Sequence, residues 1–202
     1  MARDEWEAEH ERQVAENLRA ELLIISELRS QGCDVDSLVE VRVAPGDLPL
    51  FLRVVLQHLK TERAPNVRVM LAAPLTGIDI SSAWDEVVGL FRAEPDRMAK
   101  ELIARALAAS VTEQRIKALV DLVSTTTDAG AQLMLLSVFA PFRGNPISRR
   151  RRLLPLVRSE VERHFDHPEI GHTLRDAVER IDRYESALEK RRAMRARPSA
   201  PR

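Results

Sequence analysis

The sequence predicts an all-α protein: an α-solenoid of about four helical hairpins, capped by an N-terminal helix and a long, charged C-terminal helix. Three observations predict it. Apolar residues recur at steps of three and four, the stripe of a buried helix face, rather than at the alternation of strands. The chain superposes on itself at a shift of 32 residues, the mark of a repeat architecture. Seven glycines and 4% aromatic residues among 202 argue against a turn-dense β-sandwich or barrel. A chain of this length fits one domain with ample material for a core.

The elements follow in chain order. Val14, Leu18, Leu22, Ile25 and Leu28 step by 4, 4, 3 and 3 before Gly32, which predicts a capping helix ended by a glycine. VEVRV (39–43) alternates like a strand, but Ser37 and Glu40 have capping-box spacing and no second strand offers itself for pairing. A short helix or loop is favoured there. The shift of 32 then lays LPLFLRVVLQHL (48–59) on ISSAWDEVVGLF (80–91) and TEQRIKALVDLV (112–123). Its apolar columns are Leu52, Trp84 and Ile116; Val55, Val87 and Leu119; Leu56, Val88 and Val120; and Leu59, Phe91 and Val123. Each block is predicted to be an amphipathic helix with one buried face.

The same shift aligns a second helix per unit through Leu71, Ile103 and Leu135, through Ala72, Ala104 and Leu136, and through Leu75, Leu107 and Phe139. Breakers separate the paired helices: TERAPN (61–66), AEPD (93–96) and STTTD (124–128). Pro95 suits a first helical turn, Asp128 an N-cap, and Pro49 the first turn of the opening unit. Ser82 with Asp85, and Ser110 with Glu113, have capping-box spacing at first-helix starts. After Arg143-Gly144 the register slips, yet LLPLVRSEVERHF (153–165) and PEIGHTLRDAVERI (168–181) supply a fourth, degenerate unit. The expected organisation is an N-terminal helix and cap over 1–46, the repeats over 47–182, and a charged helix end with a disordered basic tail over 183–202.

Hairpins of about thirty residues, with proline opening a helix and NVRVMLAAPL or AKELIARAL in the second helix, resemble short HEAT repeats of the phycobilisome-lyase type. The run ENLRAELLIISELRSQGCDVDSL, followed by LPLFLRVVLQHL and AWDEVVGLFRAEPD, is similar to uncharacterised bacterial HEAT-repeat proteins. The resemblance spans about residues 14 to 181 and implies a right-handed, armadillo-like α-solenoid of HEAT-like hairpins without implying a reaction. The tetratricopeptide and ankyrin patterns, close in period, do not occur, and 32 residues is short for a HEAT unit.

Charge sums to zero but is uneven. Residues 1–146 carry 16 basic and 22 acidic side chains, and 147–202 carry 15 and 9, so the two parts stand at net −6 and +6. Arg149 to Arg152 and the tail residues Lys190, Arg191, Arg192, Arg195, Arg197 and Arg202 make the positive end. The last eight or so residues, ending RPSAPR, offer nothing to pack and are expected to be disordered. The opening MARDEWEAEHERQ is unlike a signal peptide, and no run approaches the ~18 apolar residues of a membrane span. A single cysteine, Cys33, excludes an intrachain disulfide and suits a reducing compartment. A cytoplasmic protein without membrane contact is expected.

Candidate sites are few. Arg68, Lys100 and Gln132 share a repeat column, and six residues before each stand Glu62, Glu94 and Thr126. The resemblance implies a polar ladder, in which the base of a second helix reaches a turn acid of its own unit or of the adjoining one. The alternative is a cationic strip that meets a partner. Arg149, Arg150, Arg151 and Arg152 cannot all be core, because four consecutive residues point to nearly every azimuth. They serve either as a solvated boundary or as an anion contact, to phosphate or to an acidic protein patch. His164, His167 and His172 straddle a turn at Pro168 and lack the one-face spacing of a helical zinc pair. The HE dipeptides that carry iron in the HEAT-like hydroxylase are matched only by His10-Glu11, in the charged N-terminal arm. Cys33, after Gly32 at a helix end, reads as a mildly exposed free thiol. Ser124 to Thr127 read as capping residues, and GIDISS (77–82) lacks the lysine of a phosphate loop.

No catalytic constellation, cofactor or metal site is therefore expected. The sequence points to a non-enzymatic scaffold or adaptor that binds a protein through its solenoid surface, an inhibitor or immunity-type protein being one form. Arg68, Lys100 and Arg149 to Arg152 are the candidate contacts. The alternative is a nucleic-acid-associated repeat protein that uses the basic C-terminal region. The sequence assigns no oligomeric state.

Overall fold

A computed structural model describes residues 3–38, 43–62 and 64–136. Between 155 and 190 it describes positions 155, 158, 159, 161–163, 165, 166, 171, 172, 174–176, 178, 179, 182, 183, 186, 187 and 190. The fold is all-α, and every regular element among the described residues is helical: α1 (Arg3–Ser30), α2 (Leu48–Thr61), α3 (Pro65–Ala72), α4 (Trp84–Ala93), α5 (Arg97–Ala109), α6 (Ile116–Thr125) and α7 (Ala129–Leu135). Among the described residues, none of the helices is long and apolar enough to cross a membrane. The chain divides into two compact units, Met1–Ser110 with Asp128–Met134, and Val111–Thr127 with Leu135–Arg202.

In the first unit α1 packs against α2 and α3, α2 against α3 and α4, and α5 against α3 and α4. In the first two 32-residue repeats the paired helices, α2 with α3 and α4 with α5, are thus in contact, and the first pair touches the second. The column residues supply the core: Leu52, Val55, Leu56 and Leu59 of α2 are buried, as are Trp84, Val87 and Phe91 of α4, while Val88 is half-buried. Leu71, Ala72, Leu75, Ile103, Ala104 and Leu107 close the other side of the same core.

Local chemistry explains most helix ends. Pro49 and Pro65 stand in the first turns of α2 and α3, where a missing N–H costs nothing. Asp96 caps α5 by accepting the Ala99 N–H at 2.8 Å, and Asp128 caps α7 by accepting the Ala131 N–H at 2.7 Å. Pro95 therefore lies just before the cap rather than in the first turn. Helix α1 ends where Gly32 takes φ +89°, a conformation that glycine reaches without strain. There the Cys33 N–H donates to the Leu28 carbonyl at 2.9 Å, a Schellman closure.

The two capping boxes at first-helix starts do not form. A 3₁₀ turn over Ser81–Ala83 leads into α4, whose N-cap is Ala83, and another over Glu113–Arg115 leads into α6. Ser110 is buried instead and ties down the preceding inter-unit loop: its hydroxyl accepts the Ile80 N–H at 3.1 Å and donates to the Ile78 carbonyl at 3.4 Å. Cys33 is also a correction, being buried rather than mildly exposed. The segment after α1 folds back on that helix, with Val35 and Leu38 buried, and the Glu21 carboxylate receives the Ser37 hydroxyl at 2.9 Å and the Leu38 N–H at 2.8 Å. Residues 39–42, most of the VEVRV stretch, lie outside the described residues.

In the second unit α6 buries Ile116, Leu119, Val120 and Val123, the third member of each first-helix column. The helical positions between 155 and 190 include buried Val161, Leu174 and Val178. Arg158 donates to Glu162 at 2.8 Å and to Asp182 at 2.6 Å. Phe139 and the basic tail from 191 onward lie outside the described residues.

Candidate functional site

The residues of the repeat column form a hydrogen-bonded ladder whose rungs recur at the 32-residue shift. Each inter-helix turn is closed by its own glutamate: the Glu62 carboxylate accepts the Ala64 N–H at 2.7 Å, and the Glu94 carboxylate accepts the Asp96 N–H at 3.0 Å. Each turn is then tied to its second helix from the column position. The Arg68 guanidinium donates to the Glu62 carbonyl, and the Lys100 ammonium lies 3.5 Å from the Glu94 carbonyl. The two turns therefore match bond for bond.

Arg68 does more than Lys100. Its Nε and Nη2 donate to Glu94 Oε1 and Oε2 at 2.8 and 2.6 Å, a bidentate fork of the kind arginine makes with carboxylates. The Glu94 side chain is 0% exposed and that of Arg68 10%, so water does little to screen the pair. The hydrogen bonds that Arg68 donates to Glu94 raise its pKa above the ordinary value, against the opposing effect of burial. One guanidinium thus links its own turn to the turn of the next unit, the arrangement that the ladder reading anticipates. Its hydrogen-bonding edge is committed inside the chain.

Lys100 is half-buried, and its Nζ lies 5.3 Å from the centre of the Phe91 ring, within cation–π range. The third position holds Gln132, and Thr126 in its turn donates to the Leu122 carbonyl at 2.6 Å. Carboxylate and cation are both missing from that rung, as the sequence shows.

The remaining candidates separate in space or fall outside the description. Arg149, Arg150, Arg151 and Arg152 lie outside the described residues, as do His164 and His167. His172 is exposed, with Nδ1 3.6 Å from Asp176. Among the described residues no three His, Cys, Asp or Glu side chains come together as a metal site. His10 stacks on Trp6 with the ring centroids 5.4 Å apart, and the residues around it are exposed. Burial pushes the Cys33 thiol above its ordinary pKa, with Asp47 and Asp34 adding to the effect. Ser124, Thr125 and Thr126 all hydrogen-bond to carbonyls of the preceding turn of α6, which is end-capping.

No protein-family model, curated protein or solved structure matches the chain. The geometry has to carry the functional argument.

One surface was not legible as such. Of the apolar residues expected to form the inner stripe of α1, Ile25 and Leu28 are buried, together with Ile24. Val14, Leu18 and Leu22 are 52 to 58% exposed, and their neighbour Leu23 is 64% exposed. A shallow depression of about 400 Å³ runs along them, lined by Ala15, Leu18, Arg19, Leu22 and Leu23. The sequence does carry a signal: four successive apolar residues, Leu22 to Ile25, span more azimuth than one buried face needs.

Proposed function

We propose that the chain is a non-enzymatic scaffold: a right-handed solenoid of HEAT-like repeats whose exposed surface holds a protein partner. The observation that carries the reading is the matched pair of turns at Glu62 and Glu94, with Arg68 bridging from one to the next. A bond pattern that returns once at the shift of 32 residues, together with buried apolar columns of the same period, supports stacked units. Units that cannot bury their apolar faces alone gain a continuous core by stacking and leave long surfaces for binding. Arg68 belongs to the scaffold in this reading, and Lys100 with Arg149 to Arg152 are the partner contacts.

The test is retention of a protein from native cytosol on the immobilised full chain, comparing wild type with a variant in which Arg149 to Arg152 are serine. The reading expects a defined protein, retained at 0.1 M salt and reduced about tenfold in the variant, both forms having the same melting temperature. Duplex DNA binding whose affinity falls steeply with salt, by a slope of about −0.9 per phosphate contact, would transfer the assignment to nucleic acid. Equal retention by both forms would remove the arginines from the site.

A further inference from the structure

The exposed stripe on α1 has a register. Ala8, Glu11, Ala15, Leu18 and Leu22 follow one another by 3, 4, 3 and 4 residues, the seam of a coiled-coil helix, and all five are exposed. Five of the seven large apolar side chains exposed among the described residues, Trp6, Val14, Leu18, Leu22 and Leu23, belong to this helix. The helix is also held in place. Glu27 meets His58 of α2 at 2.8 Å, Asn66 of α3 meets Glu16 at 2.9 Å and Asn17 at 3.0 Å, and Ile24, Ile25 and Leu28 are buried. Residues 5–16 are exposed throughout, so the N-terminal half of the seam is a preformed helix that presents itself to solvent.

Charge decides what fits. Between Glu5 and Leu23 stand six carboxylates against two guanidinium groups, Arg12 and Arg19. A second α1 is a poor occupant. Laid parallel and in register, it sets Glu11 against Glu11 at a seam position; laid antiparallel, with Ala15 opposite Leu18, it brings Arg12 alongside Arg19. We infer that this seam takes a basic amphipathic helix from another protein. Leucine-sized residues of that helix would fill the depression over Ala15, Leu18 and Leu22, and its Lys or Arg residues would lie along Glu7 and Glu11. The alanines at 8 and 15 allow close approach of the two helices, and long basic side chains can cover apolar surface while their charges reach the glutamates. These residues are other than the contacts assigned above to the scaffold's partner, and the inference can be tested whether or not those contacts hold.

The probe is a fluorescein-labelled 21-residue helical peptide with Leu at its seam positions and Lys flanking them; a second peptide with Glu in place of every Lys is the control. Anisotropy with the full chain should show saturable binding of the Lys peptide and none of the Glu peptide. The pair Leu18→Glu and Leu22→Glu should weaken binding by about 100-fold, as loss of central anchors does. The pair Glu7→Lys and Glu11→Lys should weaken it by about tenfold, and raising salt from 0.1 to 1 M should do likewise. Circular dichroism should show each variant as helical as wild type, since the replaced residues are exposed. Equal binding of the two peptides, or Lys-peptide binding indifferent to the leucine changes, overturns the inference. So does a full chain that sediments as a dimer and becomes monomeric on Leu18→Glu and Leu22→Glu, because the seam would then belong to a second copy.

Discussion

Helix α1 and the first helices of the repeats carry the same three-and-four spacing of apolar residues, and the repeats bury it far more completely. Val14, Leu18 and Leu22 are more than half exposed, whereas Leu52, Val55, Leu56 and Leu59 are at most 2% exposed. Periodicity thus dictates that a helix forms and which residues share a face. What covers that face depends on a neighbour. Helix α2 is covered by α1, α3 and α4, and α4 by α2 and α5. Among the described residues α1 is covered by α2, α3 and the returning segment at Val35 and Leu38, and its buried side chains are confined to Ile24, Ile25 and Leu28 near its C-terminal end.

The largest expected effect lies in the repeats. Trp84 fills the column position held by Leu52 and Ile116 in the neighbouring units, and Trp84→Ala should cost about 3 to 5 kcal/mol in chemical denaturation. Iodide should quench Trp6 and spare Trp84. Equal quenching of both tryptophans would break the comparison at its strongest point.

Next comes a contrast within α1. Leu28→Ala, in the buried half, should cost about 2 to 5 kcal/mol, and Leu18→Ser, in the exposed half, should stay within about 0.5 kcal/mol of wild type. Similar costs at the two positions would show that the stripe is covered in solution after all.

The all-helical class and the buried faces were legible because they rest on columns that the sequence displays directly, from Leu52, Trp84 and Ile116 to Leu71, Ile103 and Leu135. The ladder was legible as a pairing of residue types in two turns, Glu62 with Arg68 and Glu94 with Lys100, although the same spacing also allowed a cationic strip. Three features escaped. Ser82 and Ser110 have the spacing of caps, but short 3₁₀ turns move the true helix starts beyond them, and spacing alone does not report a turn. Cys33 was misplaced because its burial depends on tertiary packing at the end of α1, which has no local signature. The exposure of Leu18 and Leu22 was hidden for the same reason.

A smaller effect follows from Cys33. Its folded-state pKa is raised by burial, so the folded chain holds a proton that the unfolded chain releases above about pH 8.5. Stability should therefore decline as pH rises through that value, and Cys33→Ala should remove this part of the decline. An identical alkaline profile in the variant would mean that the thiol is not held protonated by the fold. A thiol reagent at neutral pH should label Cys33 only as the chain unfolds.

The claim on which the account depends is that Arg68 joins one repeat unit to the next through Glu94. A double-mutant cycle measures it most directly: Arg68→Met, Glu94→Gln and the pair, each unfolded in urea at neutral pH. Loss of one partner leaves a buried charge uncompensated, so the Arg68→Met change should cost about 3 to 5 kcal/mol. The double variant should cost clearly less than the two single variants added together, a coupling of about 1 to 3 kcal/mol. Additive losses, or an Arg68→Met chain as stable as wild type, would contradict the ladder and with it the stacking of units that the scaffold reading requires.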